Sequence, residues 1–312
     1  MKKLISVLIP CYNEVENVQP ISEAIINEFV TKLPQYDYEI VFIDNFSTDG
    51  TRNKIEQICK MNPKIKAIFN AKNFGQFNSP YYGMCQTHGD CTIAMCCDFQ
   101  DPVELIPRFV AEWEKGYKIV SAIKTQSEEN KIVRFLRTYY YKVIKKMSAV
   151  EQIEHFTGTG LYDKSFIDVL RKLDDPLPFL RGIVAELGPL RKDIEYIQAK
   201  RKTGKSHNNW YTLYDAAMLS FTSYTKVGLR IATIIGLCFA ILTMLMAGLY
   251  FIAKLMWWNS FPMGTAPTLI GIFFIGSVQL FFIGLVGEYI LNINARVMHR
   301  PLVVEEKRIN ME

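Results

Sequence analysis

Two long stretches without a charged side chain constrain this chain most strongly. They run from Ile231 to Ala253 and from Thr268 to Gly287. At a rise of 1.5 Å per residue, about 20 apolar residues cross the roughly 30 Å hydrocarbon core of a bilayer. The stretches therefore predict transmembrane helices over 229–256 and 268–291, joined by an extracytoplasmic loop at 257–267. Two helices buried in a protein core are the alternative.

Basic residues predict the side of the membrane on which the remaining chain lies. Lys226 and Arg230 precede the first stretch, and Lys254 is the one basic residue between the two. Further basic residues follow the second stretch, in a tail at 292–312. By the positive-inside rule we expect both termini and the large amino-terminal part in the cytoplasm, with the protein in the inner or plasma membrane. Met1-Lys2-Lys3 runs directly into a strand-like segment, which is unlike a signal peptide.

The first 130 residues alternate strand-like and helix-like segments. Apolar runs at 4–9, 38–43, 65–69 and 92–95 are each followed by a polar loop, and helical spacing then returns, the third helix being expected near 80–88. This alternation predicts an α/β domain with a mostly parallel sheet. The sequence has neither Gly-x-Gly-x-x-Gly nor the full Gly-x-x-x-x-Gly-Lys-Ser/Thr loop, which argues against a dinucleotide fold or a P-loop.

An acidic stretch, Cys96 to Pro102, follows the fourth of these apolar runs. Ligands of α/β proteins bind beyond the carboxyl ends of parallel strands, so the stretch is a candidate site. The alternative is a helix cap, with Asp101 at the N-cap and Pro102 at the first helical position. The seven cysteines have no repeated metal-ligand spacing and are expected to be reduced thiols. The formal net charge of +5 is modest, and nucleic acid is not an expected partner.

Four segments in order carry a resemblance to a known family. They read SVLIPCYNE, IVFIDNFSTDGT, NAKNFGQ and CCDFQDPVELIP. They resemble family 2 glycosyltransferases of the GT-A fold, and with two carboxyl-terminal spans they resemble the polyprenyl-phosphate glycosyltransferases. The resemblance implies inverting transfer of one sugar from a nucleotide sugar to a polyprenyl phosphate at the cytoplasmic face of the membrane. UDP-linked donors are favoured over GDP-linked ones, and a homo-oligomer is expected.

The resemblance also implies a donor site. Its nucleotide-binding residues would be Pro10, Tyr12, Asn13, Glu14, Asp44, Asn73, Gly75 and Asp98. Asp98 and Gln100 would hold Mg²⁺ or Mn²⁺, and Asp98, Asp101 and Arg201 would serve catalysis. The chain departs from the family pattern at Asn45-Phe46, where Asp-Gly is usual, and at Cys96, where the first Asp of the metal loop is usual. A thiolate at Cys96 would instead suit a softer metal.

The acceptor side is expected within residues 131–228. Amphipathic stripes over 131–148 and 208–227 predict two helices in the headgroup layer, with solvated surface helices as the alternative. The resemblance implies that the acceptor phosphate is bound by Arg134, Arg137, Arg201, Lys205 and Ser206. In the loop from Arg201 to His207, His207 replaces the usual Lys, and Lys205 is an extra cation.

The acceptor determines whether a base is needed. A phosphate monoester has a second pKa of about 6 and is already an oxyanion at neutral pH, so it requires no strong base. A hydroxyl-bearing lipid would require one, and Asp101 is the candidate. A third alternative is a degenerate transferase that binds lipid or partners without chemistry.

Overall fold

The computed structural model describes residues 2–126, 153–199, 265–298 and 300–311, together with scattered helical residues between 218 and 256. One sheet contains all the strands of these residues: β1 (Leu4–Cys11), β2 (Asp37–Asp44), β3 (Ile65–Asn70), β4 (Cys91–Ala94), β5 (Ile119–Gln126), β6 (Phe156–Asp163), β7 (Arg191–Ile197) and β8 (Glu305–Ile309). The helices whose two ends both lie among the described residues are α1 (Val18–Lys32), α2 (Thr51–Met61), α3 (Gly75–Cys85), α4 (Leu105–Glu114), α5 (Lys164–Leu173), α6 (Leu180–Leu187) and α7 (Thr265–Val297).

The predicted parallel sheet is confirmed for its amino-terminal half. The strands lie in the order β7-β5-β6-β4-β1-β2-β3-β8. β1 is parallel to both β2 and β4, and β2 is parallel to β3. β6 runs antiparallel to β4 and β5, and β7 is parallel to β5. The sheet is therefore mixed, with one block of four parallel strands whose carboxyl ends share an edge.

Both faces of this parallel block are buried. Along β1, Ile5, Val7 and Ile9 pack into one core cluster with α1, α2 and α4, whereas Leu8 packs into a second cluster on the opposite face. Successive side chains of a strand point to opposite faces, so a strand covered on both sides must be apolar at nearly every position. This requirement explains why the four predicted strands were visible as continuous apolar runs.

Two local predictions are wrong. The third helix begins at Gly75 and ends at Cys85, so Pro80 lies inside the helix and does not begin it. The cap assigned to Asp101 is also wrong, because α4 begins at Leu105 and the preceding position is Glu104. The reason is that the carboxylate of Asp101 is already engaged by side chains from the other half of the sheet, as described below.

The tail at 292–312 is more than a basic extension. Its last strand, β8, pairs antiparallel with the edge strand β3, with Phe69 opposite Lys307 and Ile68 opposite Arg308. Ala71 adds a backbone hydrogen bond to the Val304 carbonyl at 2.9 Å. Charged side chains are common on edge strands because they discourage further pairing, which is why this strand carries no apolar signal. The tail is thus part of the α/β domain.

One helix in the described part of the chain is long and apolar enough to cross a membrane. It is the segment Phe274–Val297 of α7, with 24 residues and a mean hydropathy of 1.7, and none of its described side chains is buried. At its carboxyl end, Nη1 of Arg296 lies 2.8 Å from Oδ1 of Asp175. The other predicted span, 229–256, falls mostly outside the described residues, as do 131–148 and 208–227. The predicted loop at 257–267 is wrong at its end, because residues 265–267 already belong to α7, and its other residues lie outside the described part of the chain.

Candidate active site

The shared edge of the parallel strands brings the predicted donor-site residues into one region. Pro10 lies in β1 near its end, Asp44 is the last residue of β2, and Asp98 follows β4. The registers pair Cys11 with Asp44 and Asp44 with Phe69, so the strands end side by side. Asn73 and Gly75 follow β3 directly. This arrangement is the crevice in which α/β proteins bind their ligands.

Asn13 joins the loops after β1 and β2 by one hydrogen bond that it donates and one that it accepts. Its backbone N–H donates to Oγ of Ser47 at 2.8 Å, and its Oδ1 accepts from the N–H of Thr48 at 2.8 Å. Asn13 has a φ of 58°, a left-handed conformation that Asn tolerates better than most residues. Next to it, the N–H of Glu14 donates to Oγ1 of Thr51 at 2.8 Å. Asn13 and Glu14 therefore fix the shape of the crevice wall.

Asp44 is completely buried at the end of β2. Its Oδ2 accepts a hydrogen bond from the Ser47 N–H at 3.1 Å and lies 3.5 Å from Nε of Arg52. Burial raises the pKa of the Asp44 carboxyl, although the Ser47 hydrogen bonds and the Arg52 charge partly oppose that rise. In this structure Asp44 contacts protein groups, and the nucleotide contact expected from the resemblance stays a prediction.

Sequence reasoning missed Arg52. It lies in the first turn of α2, where a cation opposes the helix dipole and is unfavourable unless something else holds it. An arginine in this unusual position, three residues after Asp49, was the feature of the sequence that could have indicated a role for it. The guanidinium carbon of Arg52 lies 5.7 Å from the ring centre of Phe46 and 5.3 Å from that of Phe69, within cation–π range.

An amide network explains the departure at Asn45. Its Nδ2 donates to Oδ1 of Asn73 at 2.9 Å and to the Gly75 carbonyl at 3.2 Å. Its Oδ1 accepts from Nδ2 of Asn70 at 3.1 Å and from the Phe74 N–H at 2.9 Å. An aspartate at position 45 could accept but not donate. Asn45 thus holds the loop after β3, which carries the predicted residues Asn73 and Gly75.

Phe46 replaces the glycine that is usual in the family, but its backbone has a conformation that glycine adopts easily. Its φ is 68°, in the left-handed region that glycine enters without steric cost. For other L-residues this region costs roughly 1–2 kcal/mol. The side chain is 38% exposed, which is high for a phenylalanine beside a buried strand end. A strained and exposed aromatic residue at a crevice is a candidate for ligand contact.

The acidic loop after β4 contains one carboxylate that supports it from within. Asp101 is only 1% exposed. Its Oδ2 accepts a hydrogen bond from Oγ1 of Thr159 at 2.6 Å, and its Oδ1 accepts one from the hydroxyl of Tyr196 at 2.5 Å. Burial and the neighbouring Asp101 raise the pKa of Tyr196, so it stays protonated and can donate. Neither partner was predicted, because each belongs to a distant strand.

The loop is also tied to the segment after β7. The N–H of Ala199 donates to the Gln100 carbonyl at 3.1 Å. Asp98 is buried, and its Oδ1 accepts a hydrogen bond from the Gln100 N–H at 3.1 Å. Residue 199 lies two positions before the predicted phosphate-binding loop at 201–207, which is outside the described residues. The acidic loop is therefore tied to the last described residue before that loop.

The comparison with protein families decides the identity. Residues 6–170 match the family described as Glycosyl transferase family 2. The chain belongs to this family. The predicted glycosyltransferase is therefore confirmed as the class of enzyme, and the mixed sheet with its parallel block is the GT-A fold of that family.

Curated relatives match the transferase over nearly their whole length. It is 31% identical over 305 residues to the SfII prophage-derived bactoprenol glucosyl transferase of Shigella flexneri, covering 97% of both chains. It is 28% identical to a prophage bactoprenol glucosyl transferase homolog of Escherichia coli K12, covering 95% of this chain and 96% of that one. Among solved structures it is similar to mannosyl-3-phosphoglycerate synthase from Rubrobacter xylanophilus, with a TM-score of 0.47, 13% identity, and coverage of 70% and 71%.

The predicted metal ligands of the transferase, Asp98 and Gln100, fit a hard divalent cation. Asp98 and Gln100 offer carboxylate and amide oxygens, which Mg²⁺ and Mn²⁺ prefer. Within the described ranges, no three His, Cys, Asp or Glu side chains come together as a metal cluster. Mg²⁺ usually needs only one or two protein carboxylates and takes its other ligands from phosphate and water. The residues present are therefore sufficient for a cation that arrives with a diphosphate.

The thiol of Cys96 is protonated in this structure. Its pKa is raised well above the usual range, first by desolvation and then by the carboxylates of Asp101 and Asp98. A protonated thiol is a poor ligand, but a bound metal ion would itself favour the thiolate. The softer metal considered from the sequence therefore stays a prediction.

The predicted acceptor residues cannot be located in the same way. Arg134, Arg137, Arg201, Lys205 and Ser206 all lie outside the described residues. Their roles stay predictions.

Proposed function

We propose that this transferase moves one sugar from a UDP-linked donor to a polyprenyl phosphate, undecaprenyl phosphate in a bacterium, at the cytoplasmic face of the membrane. The observation that carries this proposal is the match with bactoprenol glucosyl transferases at 31% identity over 97% of both chains. Bactoprenol is a polyprenol, and the match includes the long apolar helix as well as the catalytic domain. The relatives' names make glucose the first sugar to test.

The acceptor phosphate supplies its own nucleophile. Its second pKa is about 6, so an oxyanion is present at neutral pH and attacks the anomeric carbon in line, inverting its configuration. Both carboxylate oxygens of Asp101 already accept hydrogen bonds, which suits a positioning role better than proton abstraction. Arg134, Arg137, Arg201 and Lys205 would bring two anions together, and Ser206 would donate to phosphate.

A divalent cation would be held by Asp98 and Gln100. When bound, it would offset the negative charge that develops on the departing nucleoside diphosphate. The buried Asp98 and the backbone of Gln100 are already hydrogen-bonded to each other, which limits the reorganisation needed on binding.

The returning tail supports two membrane crossings. β8 pairs with β3, and Arg296 at the end of α7 pairs with Asp175, so the carboxyl end of α7 lies beside the catalytic domain. If α7 crosses the bilayer, its amino end at Thr265 is on the opposite side. The chain between residues 199 and 265 must then cross as well. The uncharged stretch 231–253 is long enough to do so, and we propose a multi-pass protein with a cytoplasmic catalytic domain. The homo-oligomer expected from the resemblance stays a prediction.

An acceptor comparison tests the proposed reaction. The full chain in detergent is given a panel of labelled sugar nucleotides, UDP-glucose first, with either undecaprenyl phosphate or undecaprenol. We expect transfer to the phosphate alone. Equal glycosylation of undecaprenol would overturn the proposal in favour of a hydroxyl acceptor, and no transfer from any donor would favour a non-catalytic binding protein.

A further inference from the structure

The tail strand β8 reaches the donor side of the catalytic domain. It covers β3, whose carboxyl end leads into the loop of Asn73 and Gly75. At the third pair of that ladder, Lys307 lies opposite Phe69, and Glu306 lies next to it. The neighbouring helix α2 begins directly after the loop of β2. The tail therefore borders two of the loops that form the crevice.

Arg52 connects the tail with the buried end of β2. Its Nη2 lies 2.6 Å from Oε2 of Glu306, and its Nε lies 3.5 Å from Oδ2 of Asp44. The guanidinium also lies near the rings of Phe46 and Phe69. One cation thus joins a tail carboxylate, a fully buried carboxylate and two aromatic rings.

The exposures along this chain of contacts show which groups a ligand could reach. The Asp44 side chain is 0% exposed, Arg52 is 19% exposed and Glu306 is 47% exposed. Asp44 is therefore closed to solvent in this arrangement. A nucleotide entering the crevice would meet the exposed Phe46 ring and the edge of Arg52 first.

We propose that Glu306 of the tail is a positioning residue for the donor nucleotide. It acts by holding Arg52 in the place from which that side chain supports both Asp44 and the strained Phe46. This inference rests on the proposed function, because the nucleotide site is the one used in that reaction. Without Glu306, Arg52 gains freedom to turn toward solvent, and the end of the β2 loop loses its fixed shape.

A second ion pair provides a matched control. Nζ of Lys307 lies 2.5 Å from Oε1 of Glu56, so this pair also joins β8 to α2. In the described part of the chain, Glu56 forms its ion pair with Lys307 and not with Arg52. If the tail serves only to stabilise the fold, loss of either ion pair should have the same effect. If Glu306 positions Arg52, its loss alone should weaken nucleotide binding.

The test measures UDP binding to the full chain by titration calorimetry, together with donor KM and kcat. For Glu306→Gln we expect the Kd for UDP and the donor KM to rise about two- to fivefold, the range of partly exposed ion pairs, with kcat retained. Glu56→Gln should leave both unchanged. Arg52→Gln should weaken binding at least as much as Glu306→Gln, and the double variant Arg52→Gln/Glu306→Gln should bind as Arg52→Gln does.

The outcomes separate this inference from the proposed function. If the wild-type chain binds UDP and Glu306→Gln binds it equally well, this inference alone is wrong. Equal weakening in Glu306→Gln and Glu56→Gln, or additive effects in the double variant, would also overturn it. If the wild-type chain binds neither UDP nor GDP, the proposed donor class fails and this inference fails with it. Matching thermal unfolding midpoints of the two single Glu variants would exclude a difference in folding.

Discussion

The hydroxyl of Tyr196 donates a hydrogen bond to Oδ1 of Asp101 across 2.5 Å, although the two residues lie 95 positions apart in the chain. Thr159, on strand β6, donates to the other oxygen at 2.6 Å. The acidic loop after β4 is therefore held from two strands of the opposite half of the sheet. We expect this support to help fix the position of Asp98, three residues before Asp101.

Loss of this hydroxyl should affect both stability and turnover. We expect Tyr196→Phe to lower the free energy of unfolding by about 1.5–3 kcal/mol, as for a hydrogen bond to a charged group, and to lower kcat. The matched control is Tyr162→Phe, which removes a hydrogen bond to the neutral Gly158 carbonyl and should cost about 1 kcal/mol without changing kcat. Chemical unfolding and turnover assays measure both effects. Equal losses of kcat would contradict a specific role for Tyr196.

The amide network predicts that an Asn→Asp substitution destabilises the protein at position 45 but not at position 73. Asn45→Asp removes the Nδ2 donor that serves Asn73 and the Gly75 carbonyl, and should lower stability by about 1–3 kcal/mol and raise the donor KM. Asn73→Asp keeps the oxygen that accepts from Asn45 and from the Gly75 N–H, and should leave stability nearly unchanged. Thermal unfolding and donor kinetics of the two variants provide the measurement. A larger loss of stability in Asn73→Asp than in Asn45→Asp would contradict the roles assigned to the two side chains in this network.

Asp98 should control the response to metal. We expect chelation to abolish transfer, added Mg²⁺ or Mn²⁺ to restore it, and Asp98→Ala to reduce it by about 100-fold or more while the protein still inserts into membranes. Asp193→Ala, which removes an exposed carboxylate on β7, is the control and should respond to metal as the wild type does. Unchanged turnover in Asp98→Ala would refute the metal assignment.

The lowered pKa of Asp163 predicts that the protein loses stability in acid. Burial alone would raise its pKa, but hydrogen bonds from Ser165, Trp113 and Lys118 outweigh burial and lower it. The unfolded chain then binds the proton more readily than the folded one, so stability rises with pH through this range. The contribution should be complete above about pH 5 and decline as the pH falls below the unfolded-state pKa of about 3.9.

Unfolding free energies measured between pH 3 and pH 7 test this expectation. Asp163→Asn should be less stable than the wild type at pH 7, and the difference should shrink toward pH 3. Asp168→Asn, which alters an exposed carboxylate on α5, is the control. A difference that stays constant with pH would mean that the charge of Asp163 is not the cause.

The sequence was sufficient for features that depend on neighbouring residues. The four parallel strands were predictable because burial on both faces demands continuous apolar runs, and the crevice followed from where those runs end. β8 was missed because an exposed edge strand can be charged at most positions. The partners of Asp101 were missed because Thr159 and Tyr196 approach it only through strand pairing. Asn45 looked like a defect in the family pattern until the structure supplied its partner, Asn73.

The pairing of β8 with β3 has a consequence for how the protein is made. In the chain, β8 follows the apolar helix α7, so the ribosome completes β8 only after that helix has been synthesised. Until then the edge of β3 has no partner, and Arg52 lacks Glu306. Under the proposed membrane topology, maturation of the catalytic domain is thus coupled to insertion of α7, because the sheet reaches its final width only after that helix has been made.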